Sequence, residues 1–293
     1  VSRVINNRGY ISEKTKKRVH EVMDELGYQP NEIARSLTKQ KSNTIGVIVP
    51  HISHPYFAKL ISNLENEAAK KDYKIILCNS KEKAEKEKQY LDMCKSNRVA
   101  GIIICSGNVE SNKINTGGIP VVLLEKNFEE GKLGIQCDNY QGGKLATEHL
   151  IECGCKKILH LSGVIDEEIE YFIKKYDIDT YNQMNYYDYI KAALNEIEGV
   201  DGIFASSDLI AAQVIQVCNE IKIRIPEDIK LVGFDDVDIS QLTTPRITTV
   251  HQPIKEMARL SIELIDAKYN NIEVNEKTIL SIKLIIREST VNK

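Results

Sequence analysis

Residues able to do chemistry are thinly spread along this 293-residue chain. His51 and His54 lack the cysteine or third ligand that a metal site needs, and read as loop. Cys153-Gly-Cys155 has the residue types for metal binding or redox cycling, but its place at a helix-to-strand turn points to ordinary packing. No nucleophile, base and acid fall into a set. The first apolar run ends Gly46-Val-Ile-Val-Pro50-His51, with no Gly-x-Gly-x-x-Gly behind it, and the phosphate-loop pattern ending Gly-Lys-Ser/Thr is absent. The Glu and Lys residues at 82–88 read as a solvated helix face. An enzyme is therefore not expected, nor a metal or cofactor.

What must position any binding residue is an ordinary globular chain, with 42% hydrophobic and 28% charged residues. No apolar run approaches the ~20 residues of a membrane-spanning helix, and the N-terminus has no apolar signal core. Seven cysteines, an odd number scattered through apolar segments, fit reduced thiols in a cytoplasmic protein without membrane contact. Charge is divided unevenly. Residues 1–42 hold nine Lys and Arg against five Asp and Glu, a net of +4, and the remaining 251 carry −7. A basic head on an acidic body suggests a polyanionic partner for the head, although a lysine-rich solvated helix face gives the same count.

In the head, Ser12 is an N-cap ahead of Glu13. Val19, Val22, Met23 and Leu26 form one helical stripe, and Gly27 stops it. Pro30 and Asn31 open a second short helix, 32–37, followed by a polar, basic linker. From Thr44 the pattern alternates. Short β-rich runs at 45–49, 74–78, 99–105, 121–124, 158–161, 202–205 and 230–234 are separated by amphipathic stretches at 56–70, 82–96, 141–153, 187–197, 209–221 and 254–270. Alternation of this kind makes parallel sheets with helices on both faces, and the strand number suits two doubly wound units.

Several strings then fall in one order along the chain: Val1-Ser-Arg-Val-Ile-Asn-Asn, Tyr10-Ile-Ser-Glu-Lys-Thr and Leu26-Gly-Tyr-Gln-Pro-Asn-Glu-Ile-Ala-Arg-Ser-Leu37 in the head; His54-Pro-Tyr-Phe, Asp138-Asn-Tyr-Gln-Gly-Gly, Val232-Gly-Phe-Asp-Asp236, Thr248-Thr-Val-His-Gln-Pro253 and Ile285-Ile-Arg-Glu-Ser289 in the body. The chain resembles the LacI/GalR (lactose-repressor) family over nearly its whole length. The resemblance implies an α/β body of two doubly wound parallel-sheet lobes, periplasmic-binding-protein-like, preceded by an all-α helix-turn-helix head and a hinge helix. It implies a partial head at 1–30 and hinge helix with linker at 31–43. The first lobe would take 44–139 plus 252–270, the second 140–251 plus 271–293. The family's first helix would precede Val1, so an N-terminally truncated chain is expected, one that binds operator DNA poorly as written.

By the same resemblance, Val1 to Asn6 is the end of a recognition helix in the major groove. Ser2, Arg3, Asn6 and Tyr10 match DNA-facing positions, and Arg3 would reach a guanine edge or a phosphate. Asn31, Ala34, Arg35, Leu37 and Lys39 match the hinge. There Leu37 would wedge into the minor groove, with Arg35 and Lys39 near phosphates. In the body a small effector is expected between the lobes, on Tyr56, Phe57, Glu125, Lys126, Ser207, Asp235 and Gln252. The aromatics would stack on it and Asp235 would accept hydroxyl hydrogen bonds. Tyr56 and Phe57 also suit a helix-start staple, and either Asp235 or Asp236 could cap the next segment, with Asp235 favoured for the cleft. One departure stands out: no arginine lies between Lys157 and Arg224, where the family carries a ligand-gripping one, and the segment is short by comparison.

The expectation is a cytoplasmic, homodimeric DNA-binding regulator, a repressor of a carbohydrate-utilisation operon. Its partners would be operator DNA and a small effector, most simply a sugar. A sugar-binding transport receptor shares the two-lobed body, but the basic head argues against it. A regulator whose effector is a phosphorylated partner protein is the other alternative.

Overall fold

Runs such as Ile45-Gly-Val-Ile-Val are apolar at every position, which suits a strand covered on both faces. They become the middle of two parallel sheets. A computed structural model describes residues 1–5, 9–28, 42–105, 116–125, 133–162 and 186–291. It divides into two compact units, 1–43 and 44–293.

In the first unit, α1 spans Ser2–Ile5 and α2 Glu13–Glu25. Ser12 is the N-cap of α2: its Oγ accepts from the Thr15 amide at 3.3 Å. The helix ends on Gly27 at φ +58, and the Tyr28 amide returns to the Met23 carbonyl at 2.8 Å. That is the left-handed stop glycine permits. The expected stripe is present, but Val19, Val22 and Met23 are only half-buried and Leu26 is 75% exposed.

In the second unit the first sheet holds β1 (Thr44–Val49), β2 (Lys74–Asn79), β3 (Gly101–Ile104), β4 (Val121–Leu124), β5 (Leu133–Cys137) and β10 (Lys277–Leu280). They lie in the order β10-β5-β4-β3-β1-β2, all parallel. The second sheet orders β11 (Lys283–Ile285), β9 (Thr248–His251), β8 (Lys230–Asp235), β7 (Gly202–Ala205) and β6 (Ile158–Leu161), parallel except for β11. Helices α3 (Pro55–Ala69) and α9 (Ile254–Tyr269) cover one face of the first sheet, burying Leu60, Leu64, Met257 and Ile265 against Val47 and Ile103. Helix α4 (Ala84–Ser96) covers the other, with Leu91 and Cys94 against Ile48 and Ile102. In the second lobe α6 (Tyr187–Glu196) and α7 (Asp208–Glu220) pack on one face, and α5 (Asn139–Glu152) on the other. Helix α8 (Ile239–Leu242) is a single turn after β8.

Two sequence expectations need correction here. Residues 271–293 do not all join the second lobe. Lys277–Leu280 pairs with β5 in the first sheet, Thr278 opposite Ile135, and only β11 joins the second. The reason is that α9 returns the chain along the first sheet, where a parallel edge strand completes the crossover. Nor is 82–88 wholly solvated. Glu87 is fully buried, because it shares the i, i+4, i+7 stripe of Leu91 and Cys94.

Candidate functional site

Parallel strands deliver their C-terminal ends to one edge, where α/β sheets bind ligands. Strand β8 ends at that edge with Asp235, only 6% exposed. Its Oδ1 accepts a 2.7 Å hydrogen bond from Gln252 Nε2, on the connection from β9 back to the first lobe. Burial pushes the Asp235 carboxyl well above the usual range, and the nearby Asp208 charge adds to it. Gln252 is itself 7% exposed, and its Oε1 is buried with no hydrogen-bond partner among the described residues. An orphaned buried acceptor calls for a donor.

Asp236 turns elsewhere. Its carboxylate accepts from Arg287 Nη2 at 2.5 Å and lies 2.8 Å from His251 Nδ1. Although burial works against it, those two partners hold the Asp236 carboxyl below the ordinary value. Both residues have positive φ, +106 at Asp235 and +56 at Asp236. Such backbone costs about 1–3 kcal/mol per residue outside glycine, and persists where surrounding contacts over-determine it. The next residue, Val237, is 2% exposed and packs in the apolar cluster of Tyr56, Leu60 and Met257 in the first lobe. Lys59 of α3 adds a bond to the Asp236 carbonyl at 3.1 Å and meets Asp238 at 3.5 Å.

From the first lobe come Tyr56 and Glu125. Pro55 starts α3, and His54 caps it, Nδ1 accepting from the Tyr56 amide at 3.3 Å. Tyr56 is 7% exposed, its hydroxyl 3.8 Å from Met257 Sδ. Burial drives its phenol well above the usual range, and the charges of Glu125 and Asp235 push the same way. Phe57 is half-buried, edge-on to Tyr56 at 5.1 Å. Glu125, at φ +54, accepts from the Cys137 amide at 2.7 Å and Asn139 Nδ2 at 2.6 Å. Burial raises its carboxyl nonetheless.

The structure thus brings Tyr56, Glu125, Asp235 and Gln252 to one junction of the lobes. Ser207 spends its hydroxyl oxygen on the Ile210 amide at 3.2 Å, as the N-cap of α7. Lys126 lies outside the described residues. Sequence reading passed over Asp208, Lys59 and Arg287. Asp208 stands directly after the N-cap Ser207 of α7 and opposite Gly233 of β8, a juxtaposition that only the fold creates. In the head, Arg3 is exposed on α1, which also includes Ser2, and Tyr10 is 99% exposed. Asn6, Asn31, Ala34, Arg35, Leu37 and Lys39 lie outside the described residues.

The remaining motifs are structural. His51 Nε2 stands 3.3 Å from Glu82, and His54 is the helix cap described above. Gly154, at φ +89, makes the turn between Cys153 and Cys155, whose Sγ atoms approach His149 Nε2 and the Asp201 carbonyl. All seven cysteines are free thiols.

A helical segment followed in the chain by a two-lobed α/β body, with polar groups meeting where the lobes join, defines the ligand-responsive regulators built on a periplasmic-binding-protein-like domain. The match to known families agrees in three successive stretches. Residues 1–31 match bacterial regulatory proteins of the lacI family. Residues 42–167 match periplasmic binding proteins and the sugar-binding domain of the LacI family, and 147–290 a periplasmic binding protein-like domain. The ribose operon repressor of Halalkalibacterium halodurans is 33% identical over 99% of this chain and 92% of its own length. The sucrose operon repressor of Streptococcus mutans is 32% identical over 99% of this chain and 94% of its own. A periplasmic binding protein/LacI transcriptional regulator from Alkaliphilus metalliredigens, solved with D-xylulofuranose, superposes with a TM-score of 0.73 at 35% identity. It covers 86% of this chain and all of that one. The chain belongs to the LacI family of bacterial regulatory proteins.

Proposed function

We propose that this chain is a transcriptional repressor of a carbohydrate-utilisation operon, controlled by an uncharged sugar bound between its lobes, with no catalytic step. The observation that carries the reading is the Asp235–Gln252 pair. It sets a buried carboxyl group, and an amide oxygen with no partner among the described residues, where the second lobe meets the first, with Tyr56 and Glu125 opposite. These groups accept hydrogen bonds, and a sugar presents hydroxyl donors in several directions. An aromatic neighbour supplies an apolar wall for the C–H face of the ring. The relatives named for ribose and sucrose operons, and the one solved with a pentulose, support a sugar over other small molecules.

As a repressor the protein acts in the cytoplasm as a homodimer on operator DNA, the basic 1–42 segment supplying the DNA contacts. A sugar touching both lobes favours one lobe orientation. By linkage it then changes operator affinity by its differential affinity for the two orientations. The test is calorimetry with a panel of pentoses, hexoses and purines, alongside operator binding by fluorescence anisotropy. A sugar is expected to bind in the micromolar range and Asp235→Ala to abolish its heat. Absence of binding by every sugar overturns the reading and favours a partner protein as the effector.

A further inference from the structure

We propose that Asp208 is a positioning residue for effector binding: it holds the turn that aims Asp235 at the junction of the lobes. The proposal rests on the reading that Asp235 contacts the effector.

Asp208 is the first residue of α7 and is wholly buried. A buried carboxylate must be bonded on its oxygens to be tolerated, and here each has one defined partner. Oδ2 accepts from the Val237 amide at 2.8 Å, and Oδ1 from Thr249 Oγ1, on β9, at 2.5 Å. Val237 is the residue directly after the two positive-φ aspartates, so Asp208 fixes the far side of the strained turn. The near side is fixed by Asp236, on Arg287 and His251, and Ser240 Oγ donates to the Val237 carbonyl at 2.7 Å. The approach of Asp208 is built into β8 as well. A Cβ at Gly233 would stand 2.5 Å from Asp208 Oδ1, so only glycine lets the start of α7 close on the strand.

Without the Val237 bond, Asp235 and Asp236 have less to hold them in the left-handed region. Relaxation of either swings the Asp235 carboxylate off Gln252. Burial raises the Asp208 carboxyl to about 7, which makes a neutral amide a fair replacement. Asp208→Asn can give its oxygen to the Val237 amide and its NH2 to Thr249 Oγ1. Asp208→Ala can do neither.

The experiment measures sugar affinity of the full chain by calorimetry, using whichever neutral pentose or hexose of a panel binds. It is paired with amide hydrogen exchange over residues 235–240. Asp208→Ala is expected to weaken the sugar about tenfold or more, the worth of one charge-assisted hydrogen bond. It should also speed exchange at Val237 selectively, while Asp208→Asn stays within about threefold in affinity. Thr249→Val, which removes one partner at constant size, is read the same way if the alanine variant does not fold. Unchanged affinity in Asp208→Ala, or equal losses in the alanine and asparagine variants at matched melting temperature, overturns the assignment. Asp235→Ala separates the two claims. If it still binds sugar, the reading of the site fails; if it does not while Asp208→Ala binds normally, only the role of Asp208 fails.

Discussion

Asp208 shows how much a single buried acid can ask of its surroundings. Its carboxyl is raised from 3.8 to about 7, with burial the largest cause and its bonds to Thr249 and Val237 pulling the other way. Between those values the folded chain holds a proton that the unfolded chain has released. Stability therefore falls as pH rises through that window, and levels off above it. Asp235 and Glu125 are shifted in the same direction and add to the slope. Urea unfolding between pH 4 and 8 is expected to show this contribution to the slope, opposed by His54 and His149, whose imidazoles burial lowers. Asp208→Asn should flatten it and be the more stable protein at pH 8, by on the order of 1–3 kcal/mol. A slope unchanged by the substitution would refute the assignment of that titration. Residues at this scale were partly legible. Asp235, Gln252 and Tyr56 stood in strings that the family resemblance singled out, whereas Asp208 carries no motif of its own. Its importance comes from touching Val237 and Thr249, 29 and 41 positions away, which no local pattern reveals.

At the scale of elements, most of the covered strands were readable because burial on both faces writes an unbroken apolar run, and the long helices because an apolar face recurs every three to four residues. The edges were not. Strand β10 reads Lys-Thr-Ile-Leu, with Lys277 and Ile279 exposed, and β11 is three residues long. Neither has the composition of a covered strand, and both are assigned to their sheets by pairing alone. Within the covered strands, close packing leaves its mark on glycine. A Cβ at Gly46 on β1 would lie 2.5 Å from Cys94 Sγ on α4. Gly46→Ala should therefore cost about 1–3 kcal/mol by overpacking. In a Cys94→Ala background the same change should cost much less, a coupling that a double-mutant cycle in urea measures.

For the second unit as a whole, the lobes share more than a connection. Val237 follows a second-lobe strand yet packs in the first-lobe cluster, and Lys59 reaches from α3 to the Asp236 carbonyl. Asp238, the other partner of Lys59, is 86% exposed, so the ion pair itself contributes little. Lys59→Ala should leave the melting temperature nearly unchanged, with a stability effect under about 1 kcal/mol. Sugar affinity, read by calorimetry, should shift several-fold, because the contact joins α3 to the turn that carries Asp235. Charge arithmetic pointed to the division between a basic head and an acidic body. It was blind to how the body is threaded.

That threading governs how the protein is made. The chain enters the second lobe at α5, returns through Gln252 to α9 and β10, and crosses again to β11. Neither sheet receives its last strand until Lys277–Ile285 has been synthesised. During synthesis both sheets lack an edge strand until this one short C-terminal stretch emerges and supplies the two almost together. A premature stop there would injure both at once.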